Sequence, residues 1–196
     1  MTEFTDALAG VNTLSGELSQ GLDLVNTKAK DSANMTRADG DPEFFKGTAE
    51  ISRLQRLTNQ VFLFGSASGQ WAANDLLASE QFGVGGINYG SAYDNSEITG
   101  KNGIAARAEL RFNANAAPLQ MLQPYTFYDI GKVWDPQNAA VASRIRELAD
   151  AGVGLRAALN ETISATAELA VPLTRAVEAQ DNGKAARWFG SLTAKF

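Results

Sequence analysis

The feature that most limits what this chain can fold into is a strict two-residue alternation of apolar and polar side chains, held for about 10 to 12 residues at a time. Ala186, Trp188, Gly190, Leu192, Ala194 and Phe196 fall on one side of an extended chain, and Arg187, Ser191, Thr193 and Lys195 on the other, with Phe189 the exception. Ile163, Ala165, Ala167, Leu169, Val171 and Leu173 oppose Ser164, Thr166, Glu168 and Thr174. Ala149, Ala151, Val153, Leu155, Ala157 and Leu159 oppose Asp150, Gly152, Gly154 and Arg156, while Ile104, Ala106, Ala108, Leu110 and Phe112 oppose Arg107, Glu109 and Arg111. A helix would set residues i and i+2 on nearly opposite sides and smear these apolar groups around its surface, so the segments read as strands.

Their length is informative. Strands of soluble sheets usually have about 5 or 6 residues, whereas ten or eleven residues tilted by about 45° cover the apolar band, about 25 Å tall, of an outer-membrane barrel. Weaker segments of the same kind run over residues 14–24, 44–57, 60–73 and 119–134, giving eight strands, with a short ninth at residues 1–8. Residues 27–42 and 135–142 are polar or rich in turn-forming residues and read as loops. The expectation is an all-β fold: a single domain over residues 1–196, part of an antiparallel transmembrane β-barrel, with a long loop at about 74–102. The chain holds no run approaching the roughly 20 apolar residues of a membrane helix. Its mean hydropathy of −0.18 is equally natural for barrel strands, which need only one apolar face. Residues 1–10 lack a basic region followed by an apolar run, so the chain is expected to be either cytosolic or a piece of a longer protein.

Composition narrows the chemistry. Cysteine and histidine are both absent, which removes disulfides, thiolate catalysis and the commonest general base and metal ligand. No cofactor, metal or catalytic role is expected. The net charge of −5 comes with no basic cluster, so no nucleic-acid partner is expected either. Trp71, Trp134 and Trp188 suit an interfacial girdle or ordinary packing.

Between the strand ending near Ala73 and the one opening at Gly103 lies a long segment with five glycines and three aromatics over residues 79–100. Glycine permits tight backbone paths and the aromatics give something to pack, so an ordered, functional loop is expected. A glycine-rich phosphate site is disfavoured, because no Lys-Ser/Thr pair and no helix follow.

Several motifs occur here in a telling order: Ser79 to Gly86, Gly90-Ser91-Ala92-Tyr93, Glu109-Leu110-Arg111, and Phe127-Tyr128-Asp129-Ile130-Gly131-Lys132-Val133. Asp150-Ala151-Gly152-Val153-Gly154-Leu155-Arg156, Glu168-Leu169-Ala170-Val171-Pro172-Leu173 and the terminal Phe196 follow. The set resembles the barrel of the haemolysin and adhesin secretion/activation proteins, the transporters of two-partner secretion. That resemblance implies the C-terminal half of a sixteen-stranded barrel, with five strands after the loop, in the bacterial outer membrane. In the family a signal peptide, a plug helix and two periplasmic POTRA domains come first, so a chain that opens on barrel strands is expected to be a piece of a longer protein.

The resemblance further implies that the loop folds into the lumen, with Gly85, Gly86, Gly90, Ser91, Tyr93, Asp94 and Gly100 as its motif. Phe127, Asp129 and Gly131 would be the wall motif that faces it, Arg107, Glu109, Arg111, Arg156 and Glu168 would line the lumen, and Phe196 would be the C-terminal assembly signal. The family carries an arginine at the loop tip that pairs with the wall aspartate. This chain has Ser91 there, and Lys101 where many relatives have aspartate. Asp129 is therefore expected to find another cation, with Arg107 or Arg156 facing suitably. The implied partners are an unfolded secreted exoprotein, membrane lipid and lipopolysaccharide, and the barrel-assembly machinery. A barrel-assembly insertase of the same superfamily and a small self-contained barrel acting as adhesin or structural protein remain as alternatives. A barrel esterase is disfavoured by the missing histidine.

Overall fold

The computed structural model describes residues 1–22, 43–136, 144–175, 177 and 183–195. Among them, nine strands form one antiparallel sheet: β1 (Thr2–Thr5), β2 (Val11–Gln20), β3 (Phe45–Arg56), β4 (Val61–Ala72), β7 (Asn102–Phe112), β8 (Met121–Asp135), β9 (Arg144–Ala158), β10 (Ile163–Pro172) and β11 (Arg187–Ala194). Each pairs with its sequence neighbour, so the sheet is an up-and-down meander in the order β1-β2-β3-β4-β7-β8-β9-β10-β11. The first and last strands do not meet. A second, two-stranded ribbon, β5 (Phe82–Val84) with β6 (Ile98–Gly100), sits inside the long connection between β4 and β7.

Eight of these nine strands are the eight read from alternation, and β1 is the short ninth. β9 runs to 15 residues, longer than the periodicity alone marks, because it opens on charged residues that mask the pattern, and β8, also of 15 residues, covers nearly all of the segment read at 119–134. β2 starts three residues earlier than its apolar run, at Val11, because its end is fixed by the turn from β1. There the Asp6 carboxylate accepts hydrogen bonds from the N–H groups of Leu8 and Gly10 and pairs with Arg53 of β3. The segments 27–42 and 137–142, read as loops, lie outside the described residues, as does Phe196.

The sheet has two unlike faces. Ile104, Leu110, Tyr128, Ile130, Val153, Leu155 and Leu192 all stand exposed on one of them. The alternate residues Arg107, Glu109, Tyr125, Phe127, Asp129, Asp150 and Glu168 are buried on the other. In a water-soluble protein this would be inside out. The polar face is concave, since Glu50 of β3 and Ser191 of β11 line the same cleft of about 690 Å³ although five strands lie between them.

The two ends of the sheet also differ. Short turns at residues 6–10, 57–60, 113–120 and 159–162 join strands at one end. The strand ends at Gln20 and Phe45, Ala72 and Asn102, Asp135 and Arg144, and Pro172 and Arg187, which the remaining connections join, all lie at the other. Trp71, Trp134 and Trp188 also belong to that end, with Trp71 and Trp188 exposed on the apolar face and the Trp71 ring edge-on to Phe45 at 6.5 Å. An apolar outer band, an aromatic rim, and short turns opposite long loops are together what a membrane-spanning barrel requires. A charge on the outer face tests this reading. In the full-length protein folded into lipid vesicles, Ile130→Lys is expected to lower stability in urea titrations by about 2–4 kcal/mol, the cost of a lysine near the bilayer midplane. Ile145→Lys, near the rim, should cost about 1 kcal/mol or less.

Candidate functional site

The buried core of the described residues lies on the concave face and is made by docking the 73–101 connection on the wall. Val84, Ala92, Tyr93 and Ile98 of the connection pack against Ala105, Tyr125, Phe127, Val133, Leu148 and Ala170 of β7 to β10. The wall accommodates them because it carries glycine where they arrive. A Cβ at Gly131 would drive into Val84, and one at Gly103 into the Phe82 ring. Gly152 and Gly154 in turn leave room for the rings of Phe127 and Tyr125 on the neighbouring strand.

The connection enters through a pinned base. Lys101 donates from its backbone N–H to Asp135 at 2.9 Å, and from its ammonium to the Ala73 carbonyl at 3.0 Å, with Asp75 3.7 Å away. Lys46 of β3 pairs with Glu80 at 2.9 Å, and Arg146 bridges Asp135 at 3.1 Å and the Thr99 carbonyl. The ribbon β5–β6 then carries the chain inward to a tight tip. Gly85, Gly86 and Gly90 adopt φ of 123°, 93° and 104°, which a side chain would strain. With that freedom Gly85 and Gly86 donate to the carbonyls of Tyr89 and Gly90 at 2.9 and 3.0 Å, and Tyr93 closes a turn on Gly90 at 2.9 Å. Gly100 ends the ribbon against Val133, where a Cβ would collide.

The tip rests on two aspartates. Gly90 and Ser91 present their backbone N–H groups to Asp129 Oδ2 at 2.9 and 3.4 Å, and Ala92 donates to Asp150 Oδ2 at 2.9 Å. Asp129 and Asp150 are directly opposed in the β8–β9 register, and both are fully buried. Tyr93, also fully buried, reaches past them so that its hydroxyl lies 3.1 Å from the Ala149 carbonyl and 3.3 Å from Thr174 Oγ1. Asp94 turns the other way and pairs with Arg187 of β11 at 2.7 Å.

Arg107 of β7 ties tip and wall together. Its Nη1 donates to the Ile87 carbonyl at 3.0 Å, to Ser91 Oγ at 3.1 Å and to Asp129 at 3.3 Å. Nη2 donates to Glu168 of β10 at 2.7 Å and Nε to Glu109 at 2.8 Å, while the guanidinium lies 4.1 Å from the Phe127 ring centre. The cation beside Asp129 is thus Arg107. Arg156 instead binds both oxygens of Glu109 at 3.1 Å and stacks 3.9 Å from the Tyr125 ring centre. Arg111 joins the same glutamate at 2.7 Å and covers Phe64 at 4.0 Å. Tyr125 donates its hydroxyl to Glu168 at 2.7 Å.

Alternation placed Arg107, Glu109, Arg111, Arg156 and Glu168 on one face, and the structure brings all five into this network. Sequence reasoning did not single out Asp150, Tyr125, Leu148 or Thr174. Asp150 alternates inward just as Asp129 does, but only the strand register puts the two side by side. Among the described residues no group of three or more His, Cys, Asp or Glu side chains is arranged to hold a metal.

Residues 1–157 match the family model of the haemolysin secretion/activation protein ShlB/FhaC/HecB. The chain belongs to this family. Among solved structures, CdiB from Escherichia coli superposes with a TM-score of 0.77 at 20% identity, covering 99% of this chain and 35% of that one. The nine-stranded sheet is thus a sector with the same fold as part of CdiB, and the chain spans about a third of its length. No curated protein matches the chain. In this secretion/activation family member the loop is held by an arginine that the wall supplies. Arg107→Ser should leave buried carboxylates unpaired, at a cost of about 3–5 kcal/mol, and expose residues 79–100 to limited proteolysis in the full-length protein. Ser91→Arg added to Arg107→Ser sets a guanidinium within reach of Asp129 from the loop side and is expected to restore much of the protection. Ser91→Arg alone would crowd two cations and loosen the loop.

Proposed function

We propose that this chain is the loop-bearing sector of an outer-membrane transporter that passes an unfolded partner protein to the cell surface in two-partner secretion. The observation that carries the reading is the docked 73–101 connection. It lies across the polar, concave side of a sheet whose convex side is apolar, in a member of the haemolysin secretion/activation family. A wall of this kind presents its apolar band to lipid and its charges to water.

The action is conduction, with no covalent step. The cleft beside the loop is lined by Glu50, Ser52, Ser66, Ser68 and Thr166 together with the arginine and glutamate side chains of the network. Short hydroxyls and charges of both signs hydrate an extended polypeptide, while Phe64, Phe82, Ile87, Tyr89 and Tyr125 of the same cleft give it scattered apolar contacts. The loop occupies the path, so transport requires it to shift or leave. Its attachments suit that task. At the tip they are hydrogen bonds and ion pairs, which water entering the lumen can replace, while Val84, Ala92, Tyr93 and Ile98 make the apolar contact that has to be exposed. The partner is a secreted exoprotein, the surroundings are membrane lipid and lipopolysaccharide, and insertion falls to the barrel-assembly machinery.

The deciding experiment is secretion itself. Cells carrying the full-length gene with its exoprotein should release that protein into the medium, and deletion of residues 79–100 should change the amount released together with the conductance of the purified protein in planar bilayers. Secretion of the exoprotein at undiminished levels from cells lacking the gene altogether would refute the reading. Loss of barrel proteins in general from the outer membrane on deletion of the gene would point to assembly instead of secretion.

A further inference from the structure

We propose that Asp129 and Asp150 hold a single proton between them, and that this proton is part of the latch that keeps the loop docked. The first ground is geometric. The two carboxyl groups stand directly opposite each other in the β8–β9 register, on the same face, and neither has any exposed surface. Each commits its Oδ2 to the loop, from Gly90 and Ser91 in one case and from Ala92 in the other. Each leaves its Oδ1 with no donor among the described residues. Two buried acceptors without donors, on adjacent carboxyls, are a costly pair that one shared hydrogen satisfies at once.

The second ground is charge. The buried network contains three guanidinium groups, Arg107, Arg111 and Arg156, against four carboxylates, Glu109, Glu168, Asp129 and Asp150. One negative charge is in surplus. Glu109 meets all three arginines, and Glu168 receives both Arg107 and the Tyr125 hydroxyl on its Oε2, while its Oε1 has no donor among the described residues. Asp129 shares Arg107 with two other carboxylates, and Asp150 has no cation within ion-pair distance among the described residues. The remaining charged or ionisable neighbours do not alter the count. Asp94 of the loop is matched by Arg187 of β11, and the Tyr93 hydroxyl turns away to Ala149 and Thr174. The surplus therefore falls on the aspartate pair, where a proton removes it.

The direction of the consequence follows. With the loop undocked, both aspartates would face water in the lumen and ionise separately, so the docked state holds one more proton. Docking is then complete on the acid side and weakens as the pH rises through the point at which the proton leaves. Between the ordinary carboxylate range, where the undocked aspartates ionise, and the higher pH at which the docked pair gives up its proton, the docking constant should fall about tenfold per pH unit, the slope of one linked proton, and it levels off above.

Infrared spectroscopy and hydrogen exchange on the full-length protein in lipid vesicles test this without relying on transport. A protonated-carboxyl band, sensitive to exchange into D2O, is expected near neutral pH and should vanish in Asp150→Asn and in Asp129→Asn alike. In Asp150→Asn the amide supplies the missing hydrogen permanently, so exchange in residues 84–98, corrected for its intrinsic pH dependence, should stay slow at high pH where the wild type loosens. A band that survives in both variants, or wild-type loop protection that is flat with pH, overturns the proposal. Asp150→Ala, which removes the carboxyl without replacing the hydrogen, should dock more weakly than Asp150→Asn at every pH, and equal docking would also count against it.

Discussion

A guanidinium buried among three carboxylates cannot be left half-coordinated, and this requirement at Arg107 fixes the arrangement around it. The side chain touches three parts of the molecule at once: its own strand through Glu109, the wall one and three strands away through Asp129 and Glu168, and the loop through Ile87 and Ser91. Moving any one of these leaves a donor or acceptor unmatched in a poorly hydrated place. The Phe127 ring beneath the guanidinium adds a cation–π contact and keeps water from that face. The loop tip, which offers only backbone N–H groups and a serine hydroxyl, is therefore positioned by charges that belong to the barrel.

That division of labour follows from the sheet. With its apolar side chains turned outward, the wall has no core of its own, and its inner face is polar except where Tyr125, Phe127, Val133 and Leu148 emerge. Those side chains would face water if the loop were absent. The loop brings Val84, Ala92, Tyr93 and Ile98 to cover them, and the glycines at 103 and 131 let the backbone of the wall approach closely enough for contact. Apolar packing thus sets how deep the loop sits, while the ion network sets where its tip points.

Much of this was legible from residues alone, because alternation is a strand-level property. Ile104 to Phe112 and Ile163 to Leu173 declare their two faces without any knowledge of neighbours. The family pattern drew attention to Asp129 and to the serine at position 91. What alternation cannot supply is register. Asp150 is as inward as Asp129, yet their opposition depends on how many residues the β8–β9 hairpin spends in its turn, and the polar segment after Asp135 gives no sign of that number. The ribbon β5–β6 was hidden for a different reason: Phe82-Gly83-Val84 and Ile98-Thr99-Gly100 are too short and too rich in glycine to show a period, and they pair because the wall holds them together. The choice between Arg107 and Arg156 as the partner of Asp129 was likewise a matter of position along the strands, with Arg107 directly opposite Asp129 across β7–β8 and Arg156 opposite Gln123.

The network's composition bears on how a loop can be both ordered and movable. A plug held by several hundred square ångströms of apolar contact would resist removal by about 25 cal/mol for every Å² exposed, a cost that water does nothing to relieve. A plug held by ion pairs is precise, because few geometries satisfy every group, yet its net stability is modest, since the same groups are well solvated when the lumen floods. The tip of this loop is of the second kind: Gly90, Ser91 and Ala92 give up three hydrogen bonds to carboxylates that water can satisfy equally well. Val84, Ala92, Tyr93 and Ile98, all fully buried, have to be withdrawn from a dry site, and Tyr93, the largest of them, reaches between β9 and the segment after β10. That shared apolar contact opposes undocking, while the charges decide the position to which the loop returns.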